Sequence, residues 1–278
     1  MTRVQNLKQA MRSWGIAVGA LLGLVGQAQA AGEYQGSPKV AEFIAEMTRD
    51  HGFASEQLTA LFDQVERKQA ILDAISRPAE KVKPWKDYRP IFITEARISK
   101  GVDFWNKHAK ALARAEQEYG VPAEVIVSII GVETFYGGNT GSWRVLDALS
   151  TLCFDYPPRA EFFCQQLREF LILAREQQID PLTVKGSYAG AMGLPQFMPG
   201  SFRAYAVDFD GDGHIDIWTN PVDAIGSVAS YFKRHGWVSG ESVVSRAQVK
   251  GEQADSGLTQ GLDPVKTVGE LRTLGWSS

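Results

Sequence analysis

Residues 121–141 read VPAEVIVSIIGVETFYGGNTG, and this stretch decides how the rest of the chain is read. Pro122 has the fixed φ suited to a first helical turn, and Glu124 sits where a helix N-terminus favours negative charge. Val125, Ile126, Val127, Ile129, Ile130 and Val132 follow, with only Ser128 and Gly131 between them. A helix apolar on nearly every side belongs in the middle of a domain. Glu133 stands at its end, before Thr134, Phe135, Tyr136 and the stop signal Gly137-Gly138. Desolvation there would raise the pKa of the carboxyl, as protonating a glycosidic oxygen at neutral pH requires. The alternative is a glutamate at a frayed helix end, pointing into water.

Length and composition bound the choice. The chain has 278 residues, 44% of them hydrophobic, and a formal net charge of -3, enough for one large domain or two interlocked ones. No basic block is present, which argues against nucleic acid as a partner. Seven tryptophans suit a carbohydrate cleft, where rings stack on sugar faces, and suit an ordinary core equally well.

The N-terminus has Arg3, Lys8 and Arg12, no acidic residue before Glu33, an apolar run from Trp14 to Val25 and the small-x-small site Ala28-Gln29-Ala30. This is the pattern of a secretory signal peptide over residues 1–30, cleaved after Ala30. The run is short for a membrane span, and no cysteine lies near the site to carry a lipid. The mature chain is therefore expected to be exported to the periplasm with no stable membrane insertion and no lipid anchor. Cys153 and Cys164 flank Tyr156-Pro157-Pro158, so a bridge is conceivable, but a domain this long does not need one, which favours two buried free thiols.

Helical spacing runs from Pro38 to about Ser76, with Val40, Phe43, Ile44 and Met47 in one stripe and Leu58, Leu61, Phe62 and Val65 in another. Pro78, Pro84 and Pro90 predict extended chain, on which Trp85, Tyr88 and Phe92 would line a groove or pack against helices. A helix is predicted from about Asp103 to Glu118, a loop and short helix around residues 143–154, and an amphipathic helix from Ala160 to about Gln177. The small-residue segment Gly186 to Gly193 would let the backbone pass close to a helix or ligand, and another helix begins near Pro199 or Gly200. Asn220 and Pro221 open a helix that Gly236 closes, and beyond Gly240 come strand-like pieces at Val243-Val244 and Ala247-Val249. Thr267 to Glu270 is a capping box for a last short helix.

Asp208, Asp210 and Asp212, with Gly213 next and Ile215 apolar, match the start of an EF-hand calcium loop in which His214 would lend its backbone carbonyl. Thr219 stands where that loop ends in a bidentate glutamate, and Asp223 could close the coordination instead. The alternative is a solvated acidic turn.

GVETFYG, FDYP-RAEFF, GSYAGAMGLPQFMP and DFDGDGHID-W-PVDAIGSVA, in that order, resemble the B-type lytic murein transglycosylases from about Lys39 to the end of the chain. The resemblance implies an α+β fold, mainly α-helical. A goose-lysozyme-like core would span residues 101–240 and carry an EF-hand-like loop at 208–223. A helical region over 31–100 would pack on it, with a small β-containing region over 241–278. It implies Glu133 as sole catalytic acid/base, Ser187 hydrogen-bonded to it, and Gln196, Phe197, Met198, Tyr88 and Tyr231 in the sugar cleft. Arg159 would lie near the murein peptide, and Asp208, Asp210, Asp212, His214 and Asp223 at a structural calcium site, with no organic cofactor. The implied substrate is the peptidoglycan glycan strand, cut by a monomer to leave 1,6-anhydromuramyl ends. Pro158 replaces a usual arginine, Gly200 a usual serine, and the family's aromatic-rich helical tail with its Tyr-Asn pair is expected to be missing. A lysozyme-type hydrolase and a non-catalytic murein-binding protein are the other readings. A calcium sensor is disfavoured because such proteins pair their loops.

Overall fold

Two separate cores organise the helices. The first gathers the predicted N-terminal stripe (Val40, Phe43, Ile44, Met47) with Leu58, Phe62, Leu149, Leu167, Phe170 and Phe202; the second joins Phe104, Leu112, Ile126 and Ile130 to Ile225 and Val228. The computed structural model describes residues 33–76, 84–251, 253–257 and 265–277. The expected signal peptide, with its cleavage site after Ala30, lies outside the described residues. Among those described, no helix is long and apolar enough to cross a membrane.

The first core begins with α1 (Pro38–His51), α2 (Ser55–Phe62) and α3 (Gln69–Ile75). Residues 84–92, predicted as extended, instead form α4 (Trp85–Phe92). Pro84 is its N-cap, where a missing amide costs nothing. Pro90 does remove a helical bond, but rings at helical spacing brace the turn, with centroids 6.2 Å apart for Trp85–Tyr88 and 5.1 Å for Tyr88–Phe92. Helix α5 runs from Glu95 to Tyr119, starting well before Asp103 because Thr94 accepts the Arg97 amide as an N-cap. It therefore runs through residue 100, the expected limit between the helical region and the core.

Helix α6 (Ala123–Thr134) buries Ile126, Val127, Ile130 and Gly131 but leaves Val132 43% exposed. The wholly buried helix is instead α7 (Val145–Asp155), in which every residue from Val145 to Phe154 is inside. Its Asp147 and Thr151 disguise this in the sequence. Both side chains are consumed by the loop after α2: Asp147 accepts the Glu66 amide and pairs with Arg144, and Thr151 accepts the Lys68 amide. Burial of these two is tolerated because their polar atoms are satisfied, while the Ser150 hydroxyl has no partner.

A 3₁₀ turn at Pro157–Arg159 leads into α8 (Ala160–Glu176). Cys153 and Cys164 are joined in a disulfide across this turn, with Cα atoms 4.6 Å apart, so the expectation of two free thiols does not hold. The turn folds α8 back along α7, a proximity that sequence spacing alone does not convey. The strands β1 (Trp143–Arg144) and β2 (Lys185–Gly186) pair antiparallel. Then come α9 (Pro199–Tyr205) and α10 (Pro221–Arg234), the latter capped by Asn220. Near the end, β3 (Gln248–Val249) pairs with β4 (Trp276–Ser277), enclosing α11 (Val268–Thr273) with its predicted capping box. Val243 and Val244 form no strand and are 74% and 82% exposed, having no partner chain beside them. The fold is thus mainly helical, with strands reduced to two short ribbons.

Candidate active site

Glu133 lies in the last turn of α6, immediately before a reversal that begins with two non-glycine residues and continues through Gly137. Phe135 and Tyr136 both adopt left-handed backbone, with φ of 53° and 58°. Two such residues in a row are costly, at about 1–2 kcal/mol each. Three contacts hold the turn. The Tyr136 hydroxyl sits in a slot between α5 and α6 where Gly101 and Gly131 face it; a Cβ on Gly131 would lie 2.5 Å from that oxygen. Thr134, 1% exposed, donates its hydroxyl to the Leu194 carbonyl at 2.9 Å and accepts the Gly137 amide at 3.1 Å. Arg97 on α5 donates to the Gly131 and Val132 carbonyls and covers the Phe135 ring at 5.1 Å. Glu133 itself is exposed and so reachable by a ligand. The crowding around it still raises its carboxyl above the usual range by desolvation, and no neighbouring charge contributes.

The small-residue segment packs against this turn. Gly141 and Gly186 touch so closely that a Cβ on Gly141 would collide with the Gly186 carbonyl group. Ser187 accepts the Ala189 and Ala191 amides, at 3.3 and 3.0 Å. These bonds use its lone pairs on its own loop and leave its O–H free to donate. Met192 and Phe197 exchange backbone hydrogen bonds, closing the loop between them. Gln196 sits at its tip with φ of 51°, donating to the carbonyls of Thr140 (3.2 Å) and Gly193 (2.9 Å). It is thereby tied to the loop after Glu133. Phe197 packs on Tyr231 of α10, 5.6 Å between centroids, and Met198 is the N-cap of α9. Gln196, Phe197 and Met198 thus form one loop, tied through Gln196 to Thr140 and packed through Phe197 on Tyr231. Tyr88 packs on Phe92, whose ring lies 5.5 Å from the Arg97 guanidinium. Arg159 is not brought to this turn; its guanidinium lies over Phe162 and Phe163 at 4.3 and 5.3 Å.

Thr134, Tyr136 and Arg97 are the supporting residues that the sequence reading passed over. Thr134 and Tyr136 flank the glutamate and could have been flagged by position. Arg97 lies far away in sequence and carries no local signal. Tyr205, edge-on to Tyr231 at 5.1 Å, and His235, stacked on it at 4.0 Å, were missed in the same way.

In the acidic loop, carboxylate oxygens of Asp208, Asp210 and Asp212 converge within 4.8 Å of one another. Gly211 and Gly213, with φ of 81° and 94°, make the sharp turn. His214 follows and donates its amide to Asp212. A cluster of hard oxygens fits calcium. Asp223 does not join it. Fully buried at the start of α10, Asp223 accepts the amides of Phe209, Asp210 and Asp216, at 2.7, 3.3 and 2.8 Å. Its oxygens brace the loop from beneath through these backbone amides.

The Transglycosylase SLT domain family matches residues 35–278. Membrane-bound lytic murein transglycosylase B of Escherichia coli (strain K12) is 47% identical over 256 residues, covering 89% of this chain and 70% of its own. The crystal structure of the soluble lytic transglycosylase SltB1 from Pseudomonas aeruginosa is 75% identical with a TM-score of 0.83, over 86% of this chain and 80% of that one. The lytic transglycosylase Slt35 of Escherichia coli, solved in complex with calcium, is 47% identical with a TM-score of 0.81, over 89% and 77%. This chain belongs to the Transglycosylase SLT domain family and is a lytic murein transglycosylase, an enzyme that cleaves peptidoglycan.

Proposed function

We propose that Glu133 is the single acid/base of this reaction and that the product carries a 1,6-anhydromuramyl end. The observation that supports this is a solvent-reachable carboxyl raised by burial, with no second acid acting on it. A glycosidase working with two carboxyls sets them about 5 to 9.5 Å apart, close enough for the shorter spacings to couple their titrations. Glu133, protonated, gives its proton to the oxygen joining N-acetylmuramic acid to N-acetylglucosamine. The substrate's own N-acetyl group stabilises the oxocarbenium charge at C1. Glu133, now a carboxylate, removes the proton of the muramyl C6 hydroxyl as that oxygen attacks C1, so no water is consumed. Gln196, Phe197, Met198, Tyr88 and Tyr231 line the glycan path, Ser187 shapes its floor, and Arg159 serves the peptide-bearing end.

Asp208, Asp210, Asp212 and the carbonyl of His214 would hold a calcium ion, which would supply charge neutralisation to the loop and no step of the reaction. The domain limits given above and a periplasmic site of action, after removal of residues 1–30, belong to the same reading.

The test is to incubate the chain from Ala31 onward with purified murein and identify soluble products by mass spectrometry, beside Glu133→Gln. Anhydromuropeptides from the wild type alone support the proposal. Reducing ends would make the chain a lysozyme-type hydrolase. Murein bound but left intact would make it a binding protein.

A further inference from the structure

We propose that Arg97 is a positioning residue for murein cleavage, fixing the C-terminal turn of α6 and with it the direction of the Glu133 carboxyl. The proposal rests on the reading of Glu133 as the acid/base. Among the described residues Arg97 forms no ion pair; its Nη1 reaches two helix-end carbonyls and its plane covers two aromatic rings, while its buried Nε has no hydrogen-bond partner. Nη1 donates to the carbonyls of Gly131 and Val132, the two residues just before Glu133. The guanidinium lies 5.1 Å from the Phe135 ring, just after Glu133, and 5.5 Å from the Phe92 ring. Arg97 therefore grips the chain on both sides of the acid.

Its own position is fixed from the other end. Its amide donates to Thr94, the N-cap of α5, so the side chain leaves a defined first turn. Lys100, one turn further, holds the same Phe135 ring with Nζ 4.5 Å from its centroid. The clamped segment needs such support. A helix end that reverses through two left-handed residues normally uses glycine, and here Phe135 and Tyr136 take those places. The Tyr136 amide reaches back to the Ile130 carbonyl and the Phe135 amide to Gly131, so the Gly131 carbonyl that Arg97 holds also closes the reversal. Arg97 acts by holding, since burial alone raises the Glu133 carboxyl and no cation offsets it.

Steady-state kcat and KM on soluble murein strands would be measured for the full chain and for Arg97→Ala, Arg97→Lys and Glu133→Gln, with the folded fraction from circular dichroism. Displacing a catalytic group by an ångström can cost about 100-fold, so Arg97→Ala is expected to lower kcat by roughly 10- to 100-fold with KM within about twofold. Arg97→Lys, which keeps a donor and a cation over Phe135 but loses the planar fork, should recover part of that loss. A raised KM with kcat intact would overturn the proposal, because Arg97 would then bind substrate. So would unchanged kcat per folded molecule, which would reduce Arg97 to a structural role. If Arg97→Ala does not fold, a folded Arg97→Lys with wild-type kcat and no better activity with a second donor variant, Arg97→Gln, overturns it equally. An active Glu133→Gln would sink the acid/base reading instead, whatever Arg97 does.

Discussion

Replacing Thr134 by valine tests whether the turn after Glu133 is fastened to the small-residue loop by the bond described. Valine has the same shape and, at a site 1% exposed, leaves no cavity. What disappears is the hydroxyl, and with it the 2.9 Å bond to the Leu194 carbonyl and the 3.1 Å bond from the Gly137 amide. Leu194 is 5% exposed, so its carbonyl is stranded away from water, a loss of about 1–3 kcal/mol. Gly137 is exposed and its amide can be rehydrated, so that bond contributes only about 0.5–1 kcal/mol. The Leu194 amide keeps its 2.8 Å bond to the Ile217 carbonyl, and the loop is weakened but not released. The sum is about 2 kcal/mol, which for a domain of this size lowers Tm by roughly 4–8 °C. Thr134→Ser keeps the hydroxyl and drops one methyl, so it should lie within about 1 kcal/mol of wild type. Thermal unfolding by circular dichroism reads both variants. If Thr134→Val melts within about 1 °C of wild type, or if serine is as damaging as valine, the bond is not what joins the two loops.

Calcium at 100 times its dissociation constant should stabilise the fold by about 2.7 kcal/mol, and Asp210→Asn should remove that calcium-dependent rise in Tm while Asp223→Asn lowers Tm with or without the ion. Reducing the Cys153–Cys164 disulfide, which closes a loop of 11 residues, should cost about 3 kcal/mol by loop entropy; equal denaturation midpoints for reduced and oxidised protein would contradict this. The raised carboxyl of Glu133 favours the fold most below its unfolded pKa, and that contribution is lost as pH rises through the folded value. Glu133→Gln should therefore melt higher than wild type at alkaline pH, with the gap closing as pH falls through the raised pKa, and wild-type activity should fall as pH rises through it.

Much of the fold was legible because apolar spacing speaks directly for helices that bury one face, as Val40, Phe43, Ile44 and Met47 do in α1. The reading failed where polar side chains are spent on other backbones. Asp147 and Thr151 make α7 look half-exposed, yet they cap the loop at residues 66–68 from inside the core. The acidic loop hides its backbone work in the same way: Asp208 and Asp223 each accept three amides, which the spacing of the aspartates does not reveal. Pro90 suggested extended chain because the rings that offset its missing bond are visible only once the helix exists. In the site, the end of the apolar run marks Glu133 as a carboxyl that desolvation would raise, and that is the direction found. Its supports were not legible, because Arg97, Gly101 and Leu194 reach it from distant segments.

The surroundings of Glu133 share a logic that the list of its neighbours does not convey. A helix C-terminus exposes carbonyl oxygens. Left open, those carbonyls would draw water or an amine towards the acid. Arg97 satisfies two of them from the α5 side, while its positive charge lies against Phe135 and Phe92 and not beside the carboxyl. A cation paired with Glu133 would hold it ionised and end its use as an acid. The reversal through Phe135 and Tyr136 then takes the chain away at once, so nothing following Glu133 covers its side chain. Strain in the backbone, a cation held aside and a carboxyl left both crowded and reachable would all serve the proposed acid/base, which must give up a proton and then take one back.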